Sequence, residues 1–154
     1  MDIYEIIIAD HEKARRLLGQ IKKTKDSDGE KRSKLFAELK PELMMHQHVE
    51  EGVFYSKLKE IDDTRDDALE AINEHHVVDG LLEELDAMPT DNDEWRAKFG
   101  VLKELVEHHM REEEEEFLPN AKKVLDADLA REMAEIYQQK KTAGLDALEP
   151  MQAK

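Results

Sequence analysis

Met45-His46-Gln47-His48-Val49-Glu50-Glu51-Gly52-Val53-Phe54-Tyr55 is the stretch whose reading decides the fold. It has a partner downstream, His108-His109-Met110-Arg111-Glu112-Glu113-Glu114-Glu115-Glu116-Phe117-Leu118-Pro119. Aligned on the aromatic, both read His-x-x-x-Glu with Phe four residues later: His46, Glu50 and Phe54 against His109, Glu113 and Phe117. On a helix, residues i and i+4 lie one turn apart on the same face, so each copy points an imidazole and a carboxylate in one direction. A further histidine precedes each copy. Asp10-His11 is followed by Leu17-Leu18, and Glu74-His75 by Leu81-Leu82 at the same offsets. His75 follows His11 by 64 residues and His109 follows His46 by 63. The chain reads as a doubled helix pair, each half giving one His and one His-x-x-x-Glu.

Apolar periodicity extends these faces into helices. Ile3, Ile7, His11, Ala14, Leu18 and Ile21 predict a first helix over Ile3 to Lys23. Leu35, Leu39, Leu43, His46, Glu50, Phe54 and Leu58 predict a second over Lys31 to Glu60, kinked or restarted at Pro41, which removes one hydrogen bond. Asp62-Asp63-Thr64 reads as a connection. Ala68, Ile72, His75, Asp79, Leu82 and Leu85 predict a third helix over Asp66 to Ala87. Phe99, Leu102, Val106, His109, Glu113 and Phe117 predict a fourth over Asp93 to Leu118, with a break or bend at Pro119. A fifth, Asp128 to Leu148, falls outside the doubled pattern. It is expected to pack across the bundle or against a second copy as a homodimer interface, ahead of a frayed tail from Glu149. Short connections favour an all-α, up-down-up-down four-helix bundle over residues 1–125, with the additional C-terminal helix and tail over 126–154.

The bulk properties agree. The 154 residues are 40% charged and 5% aromatic, with six Gly and four Pro, as suits one helical domain. No apolar run approaches the ~18–20 residues of a membrane span. The acidic start, Met1-Asp2-Ile3-Tyr4-Glu5, lacks the basic region of a secretory signal. No cysteine is present, which excludes disulfides and thiolate metal sites and suits a cytoplasmic protein. A net charge of −15 opposes nucleic-acid binding.

The mid-helix polar residues carry the functional signal. One histidine on an apolar face is ordinarily a satisfied core residue. Four at matching period, two with a glutamate one turn on, are not. Two buried carboxylates with no Lys or Arg on the same faces call for positive charge. One ion would be crowded by six ligands, whereas two ions bridged by both glutamates would satisfy them. His nitrogen with carboxylate oxygen suits iron or manganese, with zinc also compatible. The candidate ligands are His11, His46, Glu50, His75, His109 and Glu113. Asp79, one turn after His75, is a candidate further ligand or an acceptor for an imidazole N–H, unless Val78 faces inward in its place. His48, His76 and His108 lie off the stripes and read as surface or supporting residues. Of the glutamates from Glu112 to Glu116, only Glu113 falls on the stripe, and the other four read as solvated.

These residues resemble the hemerythrin-like, or HHE cation-binding, family, over about Ile3 to Leu118. The resemblance rests on Asp10-His11, His46 to Glu50 with Glu51 and Phe54-Tyr55, Glu74-His75, and His109 to Glu113 with Phe117-Leu118-Pro119. It implies a four-helix bundle holding two iron ions, bridged by two carboxylates and an oxo or hydroxo group. By position, His75 and His109 would bind one iron, His11 and His46 the other, and Glu50 and Glu113 would bridge. The oxygen carriers of the family have a further histidine where this chain has Asp79, and an Asp at i+5 where it has Glu113 at i+4. Cluster-repair members usually carry an N-terminal cysteine-bearing segment, which this chain lacks. The Glu-x-x-His signature of ferritin-like di-iron proteins is absent.

The first functional reading is a protein that binds O2, NO or peroxide for sensing, storage or scavenging. The second is a di-iron enzyme, a peroxide or NO reductase or an oxidase, or an iron-homeostasis protein. For turnover, Tyr55, off the stripe, is the nearest phenol. The third is an interaction module with a vestigial metal site.

Overall fold

The computed structural model describes the backbone of residues 1–152 and the side chains of residues 1–147. All regular structure among them is helical. Helix α1 spans Ile3–Lys22, capped by the Asp2 carboxylate, which accepts from the Glu5 N–H at 3.0 Å. A 3-10 turn at Asp26–Asp28 leads into α2, Gly29–Glu50, which runs on through a π-helical turn, Glu51–Tyr55, to Ser56–Leu58. Helix α3 spans Asp62–Asp86 and α4 spans Asp93–Glu112. The fourth helix also continues through a π turn, Glu113–Phe117, into Leu118–Lys122. Helix α5 spans Ala127–Gln152.

The helix boundaries refine the sequence reading. Asp62 and Asp63 form the first turn of α3 rather than a connection, where their charge complements the helix N-terminus. Helix α2 runs through Pro41 without restarting. Pro119 ends nothing: the helix continues through it to Lys122, just beyond the π turn. The backbone of α5 reaches Gln152, past the tail expected to fray from Glu149, and Ala153 and Lys154 lie outside the described residues.

Two apolar clusters fill the interior. One gathers Ile3, Ile7, Phe54, Tyr55, Phe117 and Tyr137. The other gathers Leu18, Leu39, Leu82, Trp95, Leu102 and Val106. The sequence interleaves them: each stripe passes from one cluster to the other through its histidine or its His-x-x-x-Glu. A polar layer therefore lies between two apolar halves. One end is fixed by buried Arg32, which donates to Thr24 Oγ1 at 2.9 Å and to the Thr90 carbonyl at 2.7 Å and so ties two interhelix loops together. Its guanidinium lies over the Trp95 ring, an attraction that strengthens with burial.

Helix α5 packs along α1 and α2. Met133, Ala134 and Tyr137 are its buried face. The fit is close at Gly144, where a Cβ would come within 2.6 Å of Met45 Sδ. No helix of the described residues is long and apolar enough to cross a membrane.

Candidate metal centre

The polar layer contains all six residues on the stripes. Glu50 and Glu113 have no exposed surface, and His11, His46, His75 and His109 are 7% exposed or less. They form two groups sharing both glutamates: His11, His46, Glu50 and Glu113, and His75, His109, Glu50 and Glu113. Within each group one potential ligand atom per residue lies within 4.8 Å of every other.

The glutamates span the groups with opposite oxygens. Glu50 Oε2 lies 3.3 Å from His46 Nε2, and Oε1 lies 3.3 Å from His75 Nε2. Glu113 Oε1 lies 2.8 Å from His11 Nε2, and Oε2 lies 3.6 Å from His109 Nε2. Each carboxylate thus faces one histidine of each group, the placement that bridging two cations requires.

The outer ring nitrogens are committed elsewhere. His11 Nδ1 donates to Glu114 Oε2 at 2.5 Å, and His46 Nδ1 donates to Asp10 Oδ2 at 3.1 Å. His75 Nδ1 donates to Glu51 Oε1 at 3.3 Å, and His109 Nδ1 donates to Glu74 Oε1 at 2.8 Å. The internal repeat is visible here. The acid preceding the first histidine of each half, Asp10 or Glu74, serves the second histidine of that half. The acid following each inner glutamate, Glu51 or Glu114, serves the first histidine of the other half. A proton held on Nδ1 leaves the Nε2 lone pair of a neutral imidazole facing inward.

Inward, hydrogen bonding is incomplete, although His75 Nε2 and His109 Nε2 lie 3.1 Å apart. His11 Nε2, His46 Nε2, both oxygens of Glu50 and Glu113 Oε1 are buried without a hydrogen-bond partner. His11 Nε2 is 2.8 Å from Glu113 Oε1 yet is not aligned to bond it. Buried polar atoms are ordinarily paired. Donor atoms that crowd together without pairing fit cations placed among them.

Without cations, protons must supply the missing charge. Burial works against charge on His46, but Glu50 and Asp10 outweigh it and hold its pKa up to about 10. His109 is likewise held up to about 10, burial being outweighed by Glu113 and Glu74. Glu113 is pulled well below the usual carboxylate range, since His109 and His11 overcome its burial.

The remaining candidates sort clearly. Asp79 lies outside both groups: Gln47 Nε2 donates to it at 2.7 Å, and His48 Nε2 lies 3.3 Å away. Val78 takes the buried position, as the alternative reading allowed, and Asp79 is partly exposed beside the six inner residues rather than among them. His48, His76 and His108 are exposed. Glu115 and Glu116 are solvated as expected, but Glu112 and Glu114 are largely buried, and Glu114 accepts from His11 Nδ1. It also takes Arg15 at 2.7 Å.

Two tyrosines come to the site that the stripes did not select. Tyr55 is fully buried and its hydroxyl donates to Glu113 Oε2. Counted on a straight α-helix it lies off the stripe. The π turn after Glu50 admits one extra residue, rotating the rest of the helix back by about 100° and bringing Tyr55 inward. Tyr137 comes from α5; its hydroxyl donates to Asp10 and also meets His46 Nδ1. Burial and the neighbouring carboxylates push both phenols above their ordinary range.

Beside the four histidines lies a small cavity whose apolar wall includes Ala14, Leu43, Val78, Val106 and Met110. It leaves about 20 Å³ for the centre of a water-sized molecule, room for about one water or a diatomic. Lys141 of α5 also lines it and pairs with Asp10 at 2.9 Å and Glu42 at 2.8 Å.

A helical protein with His/Glu clusters suited to cations is the class that fold and site define. The comparisons narrow it. The model of the Hemerythrin HHE cation binding domain matches residues 2–121, and the chain belongs to that family. Its structure is similar to the crystal structure of a hemerythrin HHE cation binding domain-containing protein from Mycobacterium kansasii, with TM-score 0.80 and 26% identity over 97% of this chain and 93% of that one. No curated protein matches the chain in sequence. The fold is hemerythrin-like and all-helical, with five helices.

Proposed function

We propose that the centre holds two iron ions and binds O2, NO or peroxide, for sensing, storage or scavenging. The observation that carries this is the opposed placement of Glu50 and Glu113, each with one oxygen toward His11 or His46 and the other toward His75 or His109. In this reading those four histidines and two glutamates are the ligands. Mixed imidazole and carboxylate donors suit iron, and also manganese or zinc. Iron would supply reversible one-electron exchange and an open position for a small ligand.

The chain's own residues define what reaches that position. The apolar wall of Val78, Val106 and Met110 favours small ligands of low polarity, and the space excludes larger ones. Asp10, Glu51, Glu74 and Glu114 hold the imidazoles in orientation. Tyr55 restrains Glu113, whereas both oxygens of Glu50 have no such partner. The four helices α1 to α4 form the up-down-up-down bundle of residues 1–125. In this reading helix α5 covers the α1–α2 side, and the protein is cytoplasmic.

Titration of iron-loaded protein with NO under anaerobic conditions tests this. The expected result is a saturable change in the visible spectrum, lost in His109→Ala. No spectral response at any ratio overturns the ligand-binding reading.

A further inference from the structure

The two halves correspond closely at the centre and diverge just outside it. In the first half α5 supplies a cover. Lys141 Nζ places a positive charge 2.9 Å from Asp10, Met45 lies against α5 at Gly144, and Val49 is buried. By the offsets of the repeat, the counterparts of Asp10, Met45 and Val49 are Glu74, His108 and Glu112. Two apolar positions of the first half are thus replaced in the second by an imidazole and a carboxylate. The α3–α4 side leaves His108 with 59% of its side chain exposed. Among the described residues no Lys or Arg pairs with Glu74 or Glu112.

We propose that Glu74, His108 and Glu112 form an outer site for a divalent transition-metal ion, beside the buried centre and separate from it. One ligand atom from each already lies within 4.8 Å of the others. His108 and Glu112 stand one turn apart on α4, with Nε2 and Oε2 3.9 Å apart, and Glu74 approaches from α3. Glu112 Oε1 is buried and has no hydrogen-bond partner. Two carboxylates held together are satisfied by a shared proton or by a cation, and the cation that Lys141 gives Asp10 has no counterpart here. One imidazole with two carboxylates suits Mn2+, Fe2+ or Zn2+, with water completing the shell on the exposed side. The site adjoins the centre through Glu74, whose Oε1 accepts from His109 Nδ1 at 2.8 Å. An ion held here stands one carboxylate away from His109, on the side of the bundle opposite to the cover that α5 gives α1 and α2.

The inference goes beyond the proposed function and does not depend on it. The test is titration of iron-loaded protein with Mn2+, following loss of the free aqua-ion resonance by electron paramagnetic resonance, with iron counted in parallel. The expected result is about one Mn2+ per chain bound with the iron retained, and at least ~10-fold weaker binding in His108→Ala and in Glu112→Gln. Glu116→Gln, which removes a neighbouring exposed charge, should leave Mn2+ binding unchanged. Absence of saturable Mn2+ uptake overturns the site, as does equal weakening by Glu116→Gln, which would show general attraction to an acidic surface. Failure of the iron reading leaves the one-ion difference between wild type and His108→Ala intact and measurable on the unloaded chain.

Discussion

Glu114 Oε2 sits 2.5 Å from His11 Nδ1, although the two residues are 103 apart in sequence. This contact closes the first helix onto the fourth and fixes which nitrogen His11 turns inward. Partners of this kind support metal ligands, and their loss typically costs 10–100-fold in metal affinity. Glu114→Gln is therefore expected to weaken metal binding by about 10–100-fold, whereas Glu115→Gln, one residue on and exposed, should have no effect. Competition with a chelator of known affinity reads the difference.

Removal of metal should destabilise the protein. Glu50 and Glu113 are fully buried, and ions that bind only the folded chain add stability by mass action. At 100-fold excess over the dissociation constant the gain is about 2.7 kcal/mol. For a domain of this size that corresponds to roughly 5–10 °C in Tm. Thermal unfolding with and without chelator should show it, and Glu50→Ala should abolish the difference.

Metal uptake should release protons. His46 and His109 are held up to about 10 in the metal-free protein, burial being outweighed by their carboxylates. A raised pKa contributes stability that is fully present below the unfolded value of about 6.5 and is lost as pH rises through the folded value. The metal-free protein is thus expected to lose stability between about pH 6.5 and 10, and the loaded protein much less. Loading at pH 8 should release about two protons per chain from these histidines. A weakly buffered indicator dye measures this directly.

Tyr55→Phe removes a donor to a buried carboxylate. A hydrogen bond to a charged group contributes about 1.5–3 kcal/mol, so the metal-free variant should unfold at correspondingly lower denaturant. Because Glu113 is then unrestrained, the visible spectrum of the iron-loaded form should also shift. An unchanged spectrum would confine Tyr55 to packing.

Much of this arrangement was legible in the sequence, because one rule governs it. His11, His46, Glu50, His75, His109 and Glu113 stand at 3–4 spacing with apolar residues that are themselves buried. Where backbone geometry left that rule, the reading failed. Tyr55 counts as off-stripe until the π turn is known, and nothing local announces that turn. Asp79 stayed open for a related reason: one residue of rotation decides whether it or Val78 faces inward. Asp10, Glu51, Glu74 and Glu114 were visible as acids flanking the motifs, but their roles depend on which helices are neighbours. Tyr137 lies within the predicted fifth helix, yet its link to Asp10 spans 127 residues and no periodicity encodes it.

The central claim is that two iron ions share Glu50 and Glu113. Iron analysis with X-ray absorption on anaerobically loaded protein tests it most directly. The account predicts about two irons per chain, with nitrogen and oxygen neighbours and a second iron at roughly 3–4 Å. It also predicts that Glu113→Ala removes the iron–iron distance. A single ion per chain, or two ions with no metal neighbour, would contradict the shared centre.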